Sequence, residues 1–391
     1  MNTMKKLLPV LLAFAMGWST PLQSQDVPPI LVGTTQSLSG RFAEEGSLQL
    51  EGMLMWMNDI NARGALLGRK VELIHYDDHS DPDRVAMLYD KLINERKVDL
   101  LIGPYSSELT LRATEVAERA NFPIVTAAAS ADSIWSRGYK NVFGIDVPSS
   151  HYMDIAVEEA AKRGAKSVAL FYADGDFAED VARGVRREAK KHGLRLVMDR
   201  QYKPESMDFK VLADELREIE ARTDIVLGAT YLSDSVAIGK ALGPGKRLEV
   251  DMVALTVGPA LAEFSPMLSN NVEGVVGVVQ WLRSVRLPGA QDFAYRYRQM
   301  HGNNPGVHAA IGYSAGQVLE AAVRLAGTTD RDALRSQLRE LRFRSLIGHY
   351  QVDENGRQMA KRNYLLQWQE GRRRLVAPAN IAERDLIYPR P

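Results

Sequence analysis

The sequence predicts an α/β protein built as two lobes, each a doubly wound parallel sheet flanked by helices. Three observations lead there. Short β-branched apolar runs alternate with amphipathic runs at helical spacing along most of the chain. That rhythm breaks at residues 139–148 and then restarts. The chain has 391 residues, more than one hydrophobic core ordinarily serves.

The elements follow in order. Residues 1–25 carry a short basic start at Lys5 and Lys6, then an apolar run from Leu7 to Trp18, then small and polar residues. This is the layout of a secretory signal peptide, and the run is shorter than the roughly 20 apolar residues a membrane span needs. Residues 30–35 (ILVGTT) form a buried strand. Residues 47–61 place Leu48, Met53, Trp56, Met57 and Ile60 on one helical face, and Gly64 stops that helix. Residues 70–76 alternate as a strand, Asp81 caps the next helix, and 99–102, 108–120 and 123–127 continue as strand, helix and strand. Four strands with three crossover helices are the pattern of a parallel sheet.

After the break, 167–172 reads as strand, 178–192 as a basic-faced helix ended by Gly193, and 194–202 as strand. A helix at 209–221, a strand at 224–230, a helix at 236–242 and strands at 252–256 and 272–280 follow. Residues 290–300, 308–326 and 331–341 read as helices. Strand-like runs lie at 346–352 and 364–368, with a turn at 353–356. Short Gly- and Pro-bearing crossings point to lobes joined by hinges.

Composition narrows the function. Lys and Arg total 49 against 49 Asp and Glu, which argues against a nucleic-acid binder. There is no cysteine, hence no disulfide framework, thiolate nucleophile, Cys-ligated metal or lipidated cysteine. Enzyme motifs fail in turn. Gly312-Tyr-Ser-Ala-Gly316 matches a nucleophile elbow, but it lies inside a continuous helical pattern rather than between strand and helix. Gly245-Lys246 lacks the rest of a phosphate loop and reads as a turn. His75, Asp77, Asp78 and His79 sit where a strand runs into a turn, which does not put two ligands on one face. The basic run at 372–374 reads as solvated surface. No cofactor or metal is expected.

Two loops at strand ends are rich in small and hydroxyl residues: Gly103-Pro-Tyr-Ser-Ser-Glu108 and Thr126-Ala-Ala-Ala-Ser-Ala-Asp-Ser133. Ligands of open α/β sheets sit beyond the carboxyl ends of strands, and the free N–H groups of a helix start favour an anion. An account in which Ser106 and Ser107 are only N-caps stands equally at this point.

Several segments in one order resemble a known family. Gly33-Thr-Thr-Gln-Ser-Leu-Ser-Gly40, Asn58-Asp-Ile-Asn-Ala-Arg-Gly64, Tyr76-Asp-Asp-His-Ser-Asp-Pro82, Ile102-Gly-Pro-Tyr-Ser-Ser107, Pro123-Ile-Val-Thr-Ala-Ala-Ala-Ser130 and Arg137-Gly138 are similar to type I periplasmic solute-binding proteins of ABC importers. The nearest group is the leucine/isoleucine/valine-binding family. Residues 224–231, 272–274 and 348–356 extend the likeness across the mature chain. The resemblance implies a type I periplasmic binding protein fold whose chain crosses between lobes near Pro148, Leu282 and Gln358. One lobe is then 26–148 with 283–357, and the other 149–282 with 358–391.

The resemblance also implies a site. A hydroxyl for the ligand's α-carboxylate falls on Ser107, a backbone contact on Ala128 and a second hydroxyl on Ser130. Aromatic positions of the second lobe fall on Tyr231 and Phe177. An aromatic over the side-chain pocket is here Glu45, a departure. The acid that holds a ligand ammonium belongs near Leu255-Thr-Val-Gly258, where no carboxylate stands. Asp234, Asp176 or Glu45 supplies it, or the ligand is not an α-amino acid, because a buried ammonium without a counter-charge is costly. The implied protein is not an enzyme but an exported, monomeric, periplasmic receptor. It closes on a small carboxylate-bearing ligand and delivers it to a membrane permease and its ATPase, with no nucleic-acid partner. A receptor for a neutral amide or urea, a ligand-presenting sensor and a secreted hydrolase using Ser314 are the alternatives.

Overall fold

The computed structural model describes residues 27–203, 207–219, 222–242, 249–269 and 272–391. The expected signal peptide at 1–25 and the Gly245-Lys246 turn lie outside those residues.

The first sheet is parallel throughout. Its strands are β1 (Ile30–Gln36), β2 (Val71–Asp77), β3 (Leu100–Ile102), β4 (Ile124–Thr126) and β5 (Val142–Gly144), in the order β2-β1-β3-β4-β5. Helices α1 (Ala43–Ala62), α2 (Pro82–Asn94), α3 (Ser107–Arg119) and the single turn α4 (Ser133–Ser136) connect them. Asp81 caps α2 by accepting from the Asp83 and Arg84 amides, with Pro82 in the first turn; this is the arrangement its sequence predicts. The three-residue β5 falls in the stretch read as a break. It is too short for its alternation to register.

Helix α5 (Asp154–Lys162) leads into the second sheet. There follow β6 (Ser167–Ala173), α6 (Asp176–His192), β7 (Arg195–Tyr202), α7 (Phe209–Arg217), β8 (Ile225–Ala229), α8 (Leu232–Ala241), β9 (Met252–Leu255), the short α9 (Phe264–Met267) and β10 (Val276–Val279). Gly193 closes α6 in the left-handed region, φ 71°. The chain then returns through α10 (Ala290–His301), α11 (Val307–Ala326) and α12 (Arg331–Glu340), and through the hairpin β11 (Phe343–Ser345) and β12 (Gly348–Tyr350). The Gly144 amide of β5 donates to the Gly356 carbonyl at 2.8 Å, so the turn after β12 lies against the first sheet. Finally β13 (Tyr364–Gln369) and β14 (Arg372–Ala377) join the second sheet, whose order is β14-β13-β10-β9-β8-β6-β7. These last two strands run antiparallel.

Strand β14 corrects the reading of 372–374 as solvated surface. Only Arg372 of the three arginines is exposed. Arg373 donates to the Ala260 carbonyl and lies over the Trp368 ring, while Leu375, Val376 and Ala377 are buried. Three consecutive arginines mask the alternation, because their long apolar stems can lie along the surface while the heads stay polar.

Helices α1 and α11 pack closely because glycines allow it. A Cβ on Gly312 would stand 2.1 Å from the Gln49 carbonyl oxygen, and one on Gly316 2.1 Å from the Trp56 ring. Ser314 between them is fully buried within α11, so 312–316 is packing and not a strand-to-helix elbow. The acids near His75 are occupied as loop staples. Asp77 accepts from the Leu38 amide and the Ser39 hydroxyl, and Asp78 from Thr35 and Ser37.

Three chain segments meet where the two sheets join. Gln280 donates to Asp146 Oδ1 at 2.9 Å and accepts from the Val147 amide at 3.0 Å. Lys361 Nζ donates to the Ile145 carbonyl at 2.5 Å. Burial pushes Asp146 up to about 6 and Lys361 down to about 7, and each charge holds the other toward its ionised form. No described helix is long and apolar enough to cross a membrane.

Candidate functional site

The site lies between the sheets, beyond the carboxyl ends of β3 and β4 on one side and of β8 and β9 on the other. The chain after β3 turns sharply at Ser106, which has φ 73°. Its hydroxyl accepts from the Leu109 amide at 3.3 Å and so caps α3. The next residue is not a cap. Ser107 Oγ accepts from the Ser130 amide at 3.1 Å and the Ala131 amide at 3.0 Å, tying the two hydroxyl-rich loops together. Its own proton has no acceptor among the described residues, so it is free to donate to an anion.

The second loop is shaped from behind. Ala128 sits at φ 54°, a left-handed conformation that a non-glycine residue adopts only when its surroundings impose it. The cause is Asp146, whose carboxylate receives the amides of Ala129 and Ala128. The Ser130 hydroxyl has no partner among the described residues.

A run of rings covers the cavity from both sides. Tyr152 meets Phe177 edge-on at 5.4 Å, Phe177 lies 5.9 Å from Tyr231, Tyr231 5.6 Å from Phe42, and Phe42 5.4 Å from Tyr105. The Phe42–Tyr231 contact joins an element of the first sheet to one of the second. Burial holds the Tyr105, Tyr152 and Tyr231 hydroxyls protonated far above neutral pH.

The structure brings Ser107, Ala128, Ser130, Phe177 and Tyr231 into one cavity, together with Tyr105, Tyr152, Val257, Gln280 and His308. Its free volume is about 40 Å³, room for about three waters at 10–15 Å³ each. No Asp, Glu, Lys or Arg is among its lining residues. Glu45, Asp176 and Asp234 line a larger neighbouring cavity of about 980 Å³ that shares Ser107, Phe177 and Tyr231 with the first. They are not equivalent. Asp234 accepts from the Tyr202 and Ser233 hydroxyls, and Asp176 is exposed at the start of α6. Glu45 is 3% exposed, and burial pushes its carboxyl up to about 7.

The sequence reading missed Tyr105, Tyr152, Gln280 and His308. Tyr105 stood inside a loop already singled out. His308 was counted only as the first residue of a helix. The available signal was a histidine two residues after Pro305-Gly306 on an otherwise apolar face.

A model of the periplasmic binding protein family matches residues 29–373. The chain belongs to that family. Members of the family are periplasmic solute-binding proteins, and this member has curated relatives along most of its length. The Leu/Ile/Val-binding protein homolog 7 of Brucella melitensis biotype 1 is 24% identical over 378 residues, covering 92% of this chain and 94% of the relative. The leucine-, isoleucine-, valine-, threonine- and alanine-binding protein of Pseudomonas aeruginosa is 24% identical over 334 residues, covering 84% and 86%. Both are named as binding proteins.

Solved structures share the two-lobed fold. A branched-chain amino acid transporter substrate-binding protein from Streptococcus pneumoniae, in complex with isoleucine, superposes with a TM-score of 0.80 at 20% identity, covering 92% of this chain and 100% of that one. A solute-binding protein of an R. palustris ABC transporter, in complex with benzoate, gives 0.78 at 20% identity, covering 93% and 97%.

Proposed function

We propose that this protein is an exported, periplasmic receptor of an ABC importer. It closes on a small carboxylate-bearing ligand, an amino acid or a related organic acid, and hands it to the membrane permease and ATPase complex as a monomer. The observation that carries this is the unused hydrogen-bonding capacity at Ser107 and Ser130. Two hydroxyls at the start of α3 and on the neighbouring loop line a small cavity roofed by rings from both lobes. A carboxylate there gains charge-assisted hydrogen bonds and the favourable end of the helix dipole without any cation. The relatives' names support the class, and the isoleucine and benzoate complexes share a carboxylate and little else.

The lobes in this reading are 26–148 with 283–357, and 149–282 with 358–391. The crossings near Pro148, Leu282 and Gln358 flank the Gln280–Asp146 and Lys361–Ile145 hydrogen bonds, which supports their role as the hinge. The ligand bridges the two lobes, so it stabilises the closed state.

Isothermal titration with amino, keto, hydroxy and aromatic acids tests the reading. Ser107→Ala is expected to weaken carboxylate binding about ten-fold or more, the worth of a hydrogen bond to a charged group, and Ser107→Thr to retain most of it. Unchanged affinity in Ser107→Ala would remove the anion site.

A further inference from the structure

The inner cavity is too small for a whole ligand. Its room for about three waters matches a carboxylate group and little more. An acid held at Ser107 must therefore extend into the larger cavity of about 980 Å³, which shares Ser107, Phe177 and Tyr231 with the inner one. That outer cavity is strongly acidic. Among its lining residues six carboxylates stand against one cation, Arg41, and Arg41 already pairs with Glu108.

Most of these acids are occupied or open to water. Asp174 accepts from Gln201, and Asp234 from Tyr202 and Ser233. Glu44 and Asp176 are exposed. Glu45 differs from all of them. It is 3% exposed, lines the cavity, and receives a hydrogen bond from no side chain among the described residues. A buried carboxylate without a counter-charge is costly, and a glutamine or leucine there would avoid the cost. Phe42, Phe177 and Tyr231 supply the aromatic part of the wall, which suits a hydrocarbon stem and the approach of a cation to a ring face.

Resting on the receptor reading above, we propose that the ligand is a carboxylate with a distal cation, an ammonium or guanidinium on a hydrocarbon stem, and that Glu45 is the residue that selects it. The carboxylate is taken at Ser107 and Ser130, the stem passes Phe177 and Tyr231, and the cation ends against Glu45. Lysine and arginine are simple members of this class. A ligand with an apolar tail fills the same space and leaves the Glu45 charge unmatched.

The pairing carries a pH signature. Burial, with Glu44 and Glu263 nearby, pushes the Glu45 carboxyl up to about 7. The Tyr105 and Tyr231 hydroxyls and Arg41 also face this region, and both hydroxyls stay protonated. His308 lies behind Tyr105, where burial keeps it neutral. A bound cation favours the ionised carboxylate. Binding at pH 6 must therefore displace a proton that is already gone at pH 8, and affinity for the distal cation rises with pH.

Calorimetric titration of the mature protein with lysine, arginine, norleucine and benzoate at pH 6 and pH 8 tests this, beside Glu45→Gln and Ser107→Ala. Norleucine matches lysine in everything but the distal ammonium. At pH 8 lysine or arginine is expected to bind about ten-fold more tightly than norleucine, the worth of a hydrogen bond to a charged group. That ratio should fall several-fold at pH 6, and Glu45→Gln should bring it near one at both pH values. Melting curves report folding, and Glu45→Leu replaces Glu45→Gln should the latter not fold. Norleucine or benzoate binding as tightly as lysine and arginine, a ratio independent of pH, or a ratio unmoved by Glu45→Gln overturns the proposal. If in those cases Ser107→Ala still weakens the acids that bind, the receptor reading stands and only the Glu45 assignment falls. If none of the acids binds, or Ser107→Ala changes nothing, both fall.

Discussion

Ser106 and Ser107 are adjacent and alike in type, yet the backbone gives them different work. The left-handed turn at Ser106 spends one hydroxyl on the helix cap. It turns the next toward Ser130 and Ala131, where its proton remains available. Glu45 presents the opposite case, a buried carboxyl to which no side chain among the described residues donates a hydrogen bond. Its folded-state value, about 7, lies above the ordinary 4.5. The folded protein therefore binds a proton that the unfolded chain releases between those values. The resulting stability is complete below 4.5 and is lost as pH rises through about 7. Glu45→Gln removes the carboxyl, so it is expected to stabilise the protein at pH 8 by up to about 3 kcal/mol. At pH 4 it should have no effect. Urea unfolding at the two pH values checks this, and an equal effect at both would contradict it.

Helices decide how firmly the cavity wall is held. Helix α11 carries His308 in its first turn and packs on α1 through Gly52, Gly312 and Gly316. Gly312→Val drives a side chain into the Gln49 carbonyl. Overpacking of this kind costs about 1–3 kcal/mol, and because the obstacle is backbone the upper end is expected, read as a lowered urea midpoint. The helices and long strands were legible in the sequence because periodicity and caps such as Asp81 and Gly193 agree with the tertiary structure. Short or masked elements were not. Strand β5 is three residues long, and β14 opens with three arginines. The hydroxyl loops were legible because small residues cluster at strand ends. His308 and Gln280 were not, since what singles them out is a missing or a shared partner, and only packing reveals that.

At the scale of the whole molecule, function depends on how the lobes meet. Asp146 links the Ala128–Ala129 loop of the cavity to Gln280, with Lys361 beside it. Asp146→Ala leaves the buried Gln280 side chain and the Ala129 amide without their acceptor, which costs about 1–3 kcal/mol per unsatisfied buried group; denaturant unfolding is expected to report it. A ligand that binds only the folded, closed form adds about 2.7 kcal/mol at a hundred times its Kd, so the melting temperature should rise with ligand concentration. The central claim is that this interlobe cavity holds a small carboxylate through Ser107. Native mass spectrometry of the protein purified from its source tests that claim most directly, comparing wild type with Ser107→Ala. The account predicts a bound small acid in the wild type that is depleted in the variant. A co-purifying ligand without a carboxyl group, or one retained equally by Ser107→Ala, would contradict it.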